Sequence, residues 1–291
     1  MDVDQIRRLT ITAMVSDDDL LDKLVLKGGN AICIGHGIST RASTDIDFSV
    51  EDDLSQMGLP EFEARVSKNL IEVFYAEGYT VFDIRVREVP LPECMDAATR
   101  EFWGGYTIEF KLTPKDRFDR LKNDLDALRR DSTVVGPRHQ RKFSIQISKH
   151  EYCREKIPKR VNGFTVYVYT PGLLLAEKLR AICQQMPEFR DVVRTSLSAR
   201  ARDFFDIWVL VDAFGLDVTE SEFHDLVRSV FAAKRVPLLL LGSIRGTREF
   251  HRSDFEAVRD TVDPGFDLKD FDFYFNYVVR IADLLKALWI E

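Results

Sequence analysis

At 291 residues, 45% of them hydrophobic and 31% charged, the chain has the composition of a soluble globular protein with one large core or two modest ones, which excludes a disordered or fibrous class. The net charge of −7 argues against a protein that coats nucleic acid nonspecifically. No apolar run approaches the roughly 20 residues that cross a bilayer, and the start MDVDQIRRLTIT lacks a signal-peptide layout, so a cytoplasmic protein without membrane association is expected.

Ser16 in SDDDLLDKL is a good N-cap followed by acids in the first turn, which predicts a short helix from about Asp17 to Leu24. VLKGG then leads into a second short helix over NAICIG, and TDIDFSV alternates as a strand. MGLPEFEARVSKNLIEVFYAEGY reads as an amphipathic helix ending near Gly78, TVFDIRVREV as a strand, and GGYTIEFKLTP as a strand stopped by Pro114. KDRFDRLKNDLDALRRD has helical spacing, KFSIQISKHEYC and FTVYVYT look like strands, and Pro171 suits the first turn of a long helix. From there PGLLLAEKLRAICQQM, SARARDFFDIWVLVDAF, TESEFHDLVRSVFAAK and DFDFYFNYVVRIADLLKALWI are all helical. The division is therefore a mixed α/β part, residues 1–168, and a helical part, residues 169–291.

Cys33, Cys94, Cys153 and Cys183 lie far apart with no CxxC or Cys/His ligand spacing, which predicts reduced, buried thiols and no zinc site. The five histidines are scattered and none pairs at metal spacing. The aromatic run FDFYFNYVV resembles a base-stacking platform, but rings at helical spacing are more often core.

The first chemical signal is Asp45 and Asp47, one residue apart, which project to one face of their strand while Ile46 and Phe48 project to the other. Two carboxylates on one face repel each other, and a divalent cation carried with substrate phosphates resolves the conflict. Gly28 and Gly29 precede them, letting the backbone approach a phosphate closely, and the start of the following helix offers free N–H groups. A two-metal site asks for a third carboxylate; Glu109 and Asp83 are the candidates, with Glu109 preferred because it stands between Ile108 and Phe110.

LKGGNAICIGHGISTRASTDIDFSV, followed by AEKLRAI and ARDFFDIWVL in that order, resembles the AbiEii/AbiGii toxin family of nucleotidyltransferases, relatives of the polymerase-β-like superfamily. The resemblance implies a mixed sheet with helices, then a helical domain that contributes Lys178 and Asp203. It makes Gly28 and Gly29 the phosphate-approach turn, Asp45 and Asp47 the metal ligands, Lys178 the essential lysine and Asp203 the distal acid, with Asp206 one turn further on. Glu109 falls where a third strand carboxylate belongs, and Asn30 stands where Ser or Thr is usual. It further implies Mg²⁺ or Mn²⁺, an NTP co-substrate, an RNA acceptor such as the tRNA 3′ end, and a cognate antitoxin in a toxin–antitoxin or phage-defence pair. The alternatives are nucleotidylylation of a protein and a non-catalytic module that binds nucleotide or antitoxin.

Lys178, on a Leu-rich helix, has a stem long enough to carry its charge across an apolar wall to a triphosphate. Arg202 and Asp206 are spaced for a helical ion pair, which would leave Asp203 to orient Lys178 or a second metal; Glu177 and Arg180 are spaced for a structural pair. The general base is left open between the carboxylates of the set and Asp203. Arg41 is a candidate bidentate triphosphate contact or an ordinary loop arginine, and Ser43 a nucleotide contact whose phosphorylation would set negative charge beside Asp45. Between Lys115 and Arg160 stand 14 Lys/Arg against 7 Asp/Glu, either a solvated surface or a phosphate-contacting face whose grip would weaken on removing Arg129 and Arg130.

Overall fold

The computed structural model describes residues 1–38, 40–41, 45–54, 57–135 and 139–290. Its chain divides into two compact units: residues 1–35 with 43–168, and residues 36–42 with 169–291. The fold is mixed α/β, with the sheet in the first unit and helices throughout the second.

The first unit begins with α1 (Val3–Val15), capped by Asp2, and α2 (Asp18–Lys23). The N-cap of α2 is Asp17, whose carboxylate accepts from Leu20 N, rather than Ser16. Strand β1 (Val25–Lys27) runs into a helical turn, α3 (Gly28–Asn30), that widens to a π-helix over Ala31–Gly35. Next come β2 (Ile46–Ser49), α4 (Leu59–Ala76), β3 (Tyr79–Val89), α5 (Ala97–Arg100) and β4 (Gly105–Pro114). The predicted single helix after Pro114 is two, α6 (Lys115–Leu121) and α7 (Leu125–Asp131), because Asp124 caps a new start on Ala127 N. β5 (Phe143–Ser148), β6 (Lys156–Val161) and β7 (Phe164–Tyr169) complete the sheet.

The strands lie in the order β3-β4-β5-β2-β1-β7-β6. β1 is antiparallel to β2 and parallel to β7, β2 is parallel to β5, and β5-β4-β3 is an antiparallel meander. Register fixes two chemically different faces, since side chains alternate along each strand. Ile46, Phe48, Ile145, Ile147, Ile108 and Phe110 occupy paired positions on one face and are all buried. Helix α4 packs there, with Phe74 edge-on to Phe110 at 5.8 Å and Phe62 tilted on Tyr106 at 5.4 Å. The opposite face carries Asp47, paired with Gln146, which is paired in turn with Thr107.

The second unit's helices are α8 (Pro171–Cys183), α9 (Ala201–Phe214), α10 (Ser221–Ala233), α11 (Leu240–Ser243), α12 (Arg248–Arg252), α13 (Phe255–Arg259) and α14 (Phe271–Leu284). Helix α8 opens on Thr170, whose hydroxyl accepts from Leu173 N, with Pro171 in the first turn. Phe271, Tyr274 and Phe275 of the α14 aromatic run are core, while Phe273 is exposed: Phe275 stacks on Phe204 at 5.3 Å, and Tyr274 meets Phe205 edge-on at the same distance. All four cysteines are free thiols, but only Cys153 and Cys183 are buried; Cys33 is half-buried and Cys94 exposed, so the expectation of four buried thiols fails at both. Cys94 sits in the Pro92–Cys94 turn beyond the end of β3, where no core covers it. No described helix is long and apolar enough to cross a membrane.

Gly105 marks the tightest strand contact, since a Cβ there would lie 2.1 Å from the Ile147 carbonyl oxygen of the neighbouring strand. Backbone on a paired strand cannot yield as a side-chain tip can. Gly105→Ala is therefore expected to cost about 2 kcal/mol, a fall in Tm of roughly 4–8 °C read by thermal denaturation; an unchanged Tm would contradict this register.

Candidate active site

In the first unit the chemistry gathers on the polar face of β2. Asp47 is half-buried within the strand, and Asp45 is exposed in the bend at its start. Gly28 has φ +66°, and a Cβ on it would stand 2.6 Å from Asp47 Oδ2. A glycine is needed because the backbone after β1 runs directly against this carboxylate. Gly29 is the middle residue of the same turn. Asn30 is fully buried; its Nδ2 donates to the Asp45 carbonyl at 2.6 Å, and among the described residues its Oδ1 has no hydrogen-bond partner. Asn30 thus ties the glycine turn to the first aspartate, a task that a shorter Ser or Thr would do less directly.

Lys27 lies opposite Asp47 in the β1–β2 register, so both side chains share the polar face. Its ammonium is buried and pairs with Glu151 at 3.3 Å. Neither residue was singled out from the sequence. The available signal was a lysine interrupting the apolar run VLKGG, a position where charge is kept only with a partner.

Glu109 is not brought into this group. It pairs in register with Ser144 and is two strands away from β2, roughly 10 Å at the usual strand spacing. Its carboxylate is held by Arg87 at 2.6 Å and Lys142 at 2.5 Å. Asp83, the other candidate, lies at a bulge in β3 with φ +53° and is held by Arg129 at 2.9 Å and Lys111 at 3.3 Å. The Arg129 hydrogen bond outweighs partial burial and holds its pKa down at about 2. Among the described residues no three His, Cys, Asp or Glu side chains form a metal-binding group, so the expected three-carboxylate cluster is absent there.

In the second unit the residues predicted on separate helices meet in one buried charge cluster. Lys178 on α8 donates to Asp203 Oδ1 at 2.9 Å and to Asp206 Oδ2 at 2.7 Å, both on α9. Arg41, from the 36–42 segment that belongs to this unit, grips Asp206 with Nε at 2.7 Å and a terminal nitrogen at 2.6 Å. Arg200, at the N-cap of α9, pairs with the second oxygen of Asp203. Arg41 is therefore a carboxylate clamp in this structure rather than an open loop arginine. Arg202 is exposed and does not pair with Asp206, whose two oxygens are taken by Arg41 and Lys178. The Glu177–Arg180 pair forms as spaced, at 3.3 Å. Ser43 lies outside the described residues.

Electrostatics in this cluster follow from burial set against neighbours. Burial works against the Lys178 ammonium, but the fields of Asp203 and Asp206 more than reverse it, so its pKa lies above the ordinary value. Burial likewise opposes both carboxylates, and Arg200 with Lys178 (for Asp203) and Arg41 with Lys178 (for Asp206) hold them below the carboxylate range. All five groups therefore stay ionised, with three cations to two anions. His251 is a further residue that the sequence did not reveal. It is fully buried, its Nδ1 accepts from Arg200 N at 3.1 Å, and its Nε2 has no partner among the described residues.

The basic segment is less open than its count suggests. Arg129 is held by Asp83, Lys142 by Glu109, Lys149 by Asp53 and Glu88, and Arg154 by Glu51, every one of these acids lying outside the segment. Among the described residues Arg130 has no such partner.

A glycine turn set against a strand aspartate thus precedes, along the chain, a buried lysine–aspartate cluster on later helices. The sequence matches the family model of the nucleotidyl transferase AbiEii toxin, type IV toxin–antitoxin system, over residues 11–277, and the chain belongs to that family. None of the curated proteins compared with it matches. Among solved structures it is similar to JHP933 from Helicobacter pylori, with 16% identity and a TM-score of 0.46 over 99% of this chain and 93% of that one. It is also similar to an antigenic nucleotidyltransferase-like protein from Paracoccidioides brasiliensis, with 14% identity and a TM-score of 0.33 over 79% and 93% of the two chains.

Burial holds His251 down to about 4, so the folded protein refuses a proton that the unfolded chain accepts near about 6.5. Its contribution to stability is complete above that value and is lost as pH falls toward about 4. Wild type should lose up to about 3 kcal/mol more than His251→Gln between pH of about 7 and about 4, measured by urea denaturation. Parallel pH profiles for the two proteins would show that this imidazole titrates normally.

Proposed function

We propose that this family member transfers a nucleotide from an NTP to an RNA acceptor, the tRNA 3′ end being the preferred one, so that translation stops in the absence of a cognate antitoxin. The observation that carries the reading is the Asp47 carboxylate on the polar face of the sheet, with the Gly28 backbone pressed against it. The donor set fits a hard divalent cation. Asp45 and Asp47 offer carboxylate oxygens, and Mg²⁺ is ordinarily held by one or two carboxylates together with substrate phosphates, so no third protein carboxylate is required. Mn²⁺ suits the same oxygens. Asp45 and Asp47 would hold such an ion, whose chemistry would be to offset negative charge on the reacting phosphates.

The chain's own residues divide the remaining work. Gly28 and Gly29 let the backbone come close to phosphate oxygens, and Asn30 holds the Asp45 main chain in place. Lys178 keeps its positive charge at neutral pH and is assigned to the charge of the departing pyrophosphate, with Asp203 and Asp206 fixing its ammonium. Asp203, with both oxygens held by Lys178 and Arg200 and its pKa held low, is too weak a base for the acceptor hydroxyl's proton, which is assigned to Asp45 or Asp47. Arg41 and Arg200 serve as positioning residues that hold the two carboxylates, and Arg202, exposed and outside the cluster, is assigned no role.

The experiment is incubation with each labelled NTP, Mg²⁺ and total cellular RNA, using wild type, Asp47→Asn and Lys178→Met. Label should enter a tRNA band with wild type and fall at least about 100-fold in either variant. Label in protein instead of RNA would move the acceptor to a polypeptide, and growth inhibition that survives Asp47→Asn would favour a non-catalytic binding module.

A further inference from the structure

A cavity of about 450 Å³ in the second unit is lined by Arg190, Arg194, Thr195, Ser196 and Leu197. It lies on the irregular segment between α8 and α9, outside the charge cluster built on Lys178. The wall has a fixed base. Phe189 is fully buried in the turn Pro187–Asp191, which carries Arg190, and Val193 is buried just before Arg194. On the far side Ser198 N donates to Gln185 Oε1 at 2.8 Å, tying the segment back to the end of α8.

Arg190 and Arg194 are both exposed, and among the described residues neither has a hydrogen bond, ion pair or ring contact. That sets them apart from most arginines here, such as Arg129 on Asp83 and Arg41 on Asp206. A guanidinium with no internal carboxylate keeps its whole donor fork for a ligand, and its planar geometry matches phosphate oxygens two at a time. Thr195 and Ser196 add hydroxyl donors. Glu188 and Asp191 stand in the same turn but do not line the cavity.

We propose that this cavity is a phosphodiester site that takes the backbone of the RNA acceptor, an inference that rests on RNA as the acceptor. Among the described residues the lining contains no aromatic ring, so it lacks the platform on which bases stack and would bind independently of sequence. Among the described residues it contains no carboxylate, so it lacks the oxygens that a metal–triphosphate complex needs and is distinct in kind from a nucleotide site. A volume of about 450 Å³ holds one backbone phosphate with its flanking ribose. On an acidic chain, two uncommitted arginines in a concavity give a local grip that the net charge of −7 conceals.

The test compares wild type, R190Q/R194Q and R190K/R194K for binding of a labelled short RNA hairpin by fluorescence anisotropy across a salt series, with thermal melting to confirm that all three fold. The Gln pair should weaken RNA binding about 10-fold at moderate salt and make the log K against log[salt] slope shallower by about 1–2. The Lys pair should keep the slope and lose part of the affinity, and binding of labelled NTP should be the same in all three. Equal RNA affinity and slope in wild type and the Gln pair would overturn the site while leaving the RNA reading intact. Wild type that binds no RNA at any salt, yet labels protein, would overturn that reading and the site with it.

Discussion

A carboxylate taken out of water must be matched by a cation, and that constraint organises both units. In the second, Asp203 and Asp206 are almost wholly buried, and isolated charges in such a place would cost several kcal/mol each. The solution recruits Lys178 from one helix, Arg200 from a helix start and Arg41 from the 36–42 segment. Such a cluster is a weak source of net stability, because desolvation consumes most of the attraction. What it supplies is position: every oxygen of the two aspartates has a donor, so the ammonium of Lys178 is held by two fixed contacts.

The same rule accounts for the polar face of the sheet. Strand alternation sends Phe48 into the core and forces Asp47 to the opposite side, where Lys27 on the neighbouring strand faces it in register. The close approach of Gly28 to the Asp47 carboxylate then follows from a chain that leaves β1 beside its antiparallel partner. Gly28 was expected to make room for a phosphate, and in the structure the room it makes is first of all for Asp47. Both uses rest on the missing Cβ.

Legibility in the sequence tracked the range of the interactions involved. Long periodic segments, such as Leu59–Ala76 and Phe271–Leu284, announce themselves through one face of apolar residues, and the alternation around Asp47 was equally plain. β1 has only three residues and β6 reads as charged edge, so neither carries enough period to be seen. Partners distant along the chain were invisible: nothing near Arg41 points to a carboxylate 165 residues away. Arg202 illustrates the opposite error, a correct helical spacing defeated because Asp206 already had better-placed donors. Lys178 and Asp203 were named through family motifs, whereas Arg200 and His251, which complete their surroundings, belong to no motif and were missed.

Charge counted along a sequence is a poor guide to charge available in space, and this chain shows why. The stretch between Lys115 and Arg160 is strongly basic by count, yet Asp83, Glu109, Asp53, Glu88 and Glu51 reach in from outside it and claim Arg129, Lys142, Lys149 and Arg154. The pairs of Arg129, Lys142 and Arg154 are partly exposed and contribute little to stability, and Lys149 is itself buried, but each pairing lowers the local potential. The segment around Arg190 and Arg194 has few basic residues by comparison, and its charge is uncommitted. For a polyanion approaching an acidic protein the second arrangement is the stronger attractor, because counterion release rewards cations free to meet phosphates and gives nothing for those already neutralised at home.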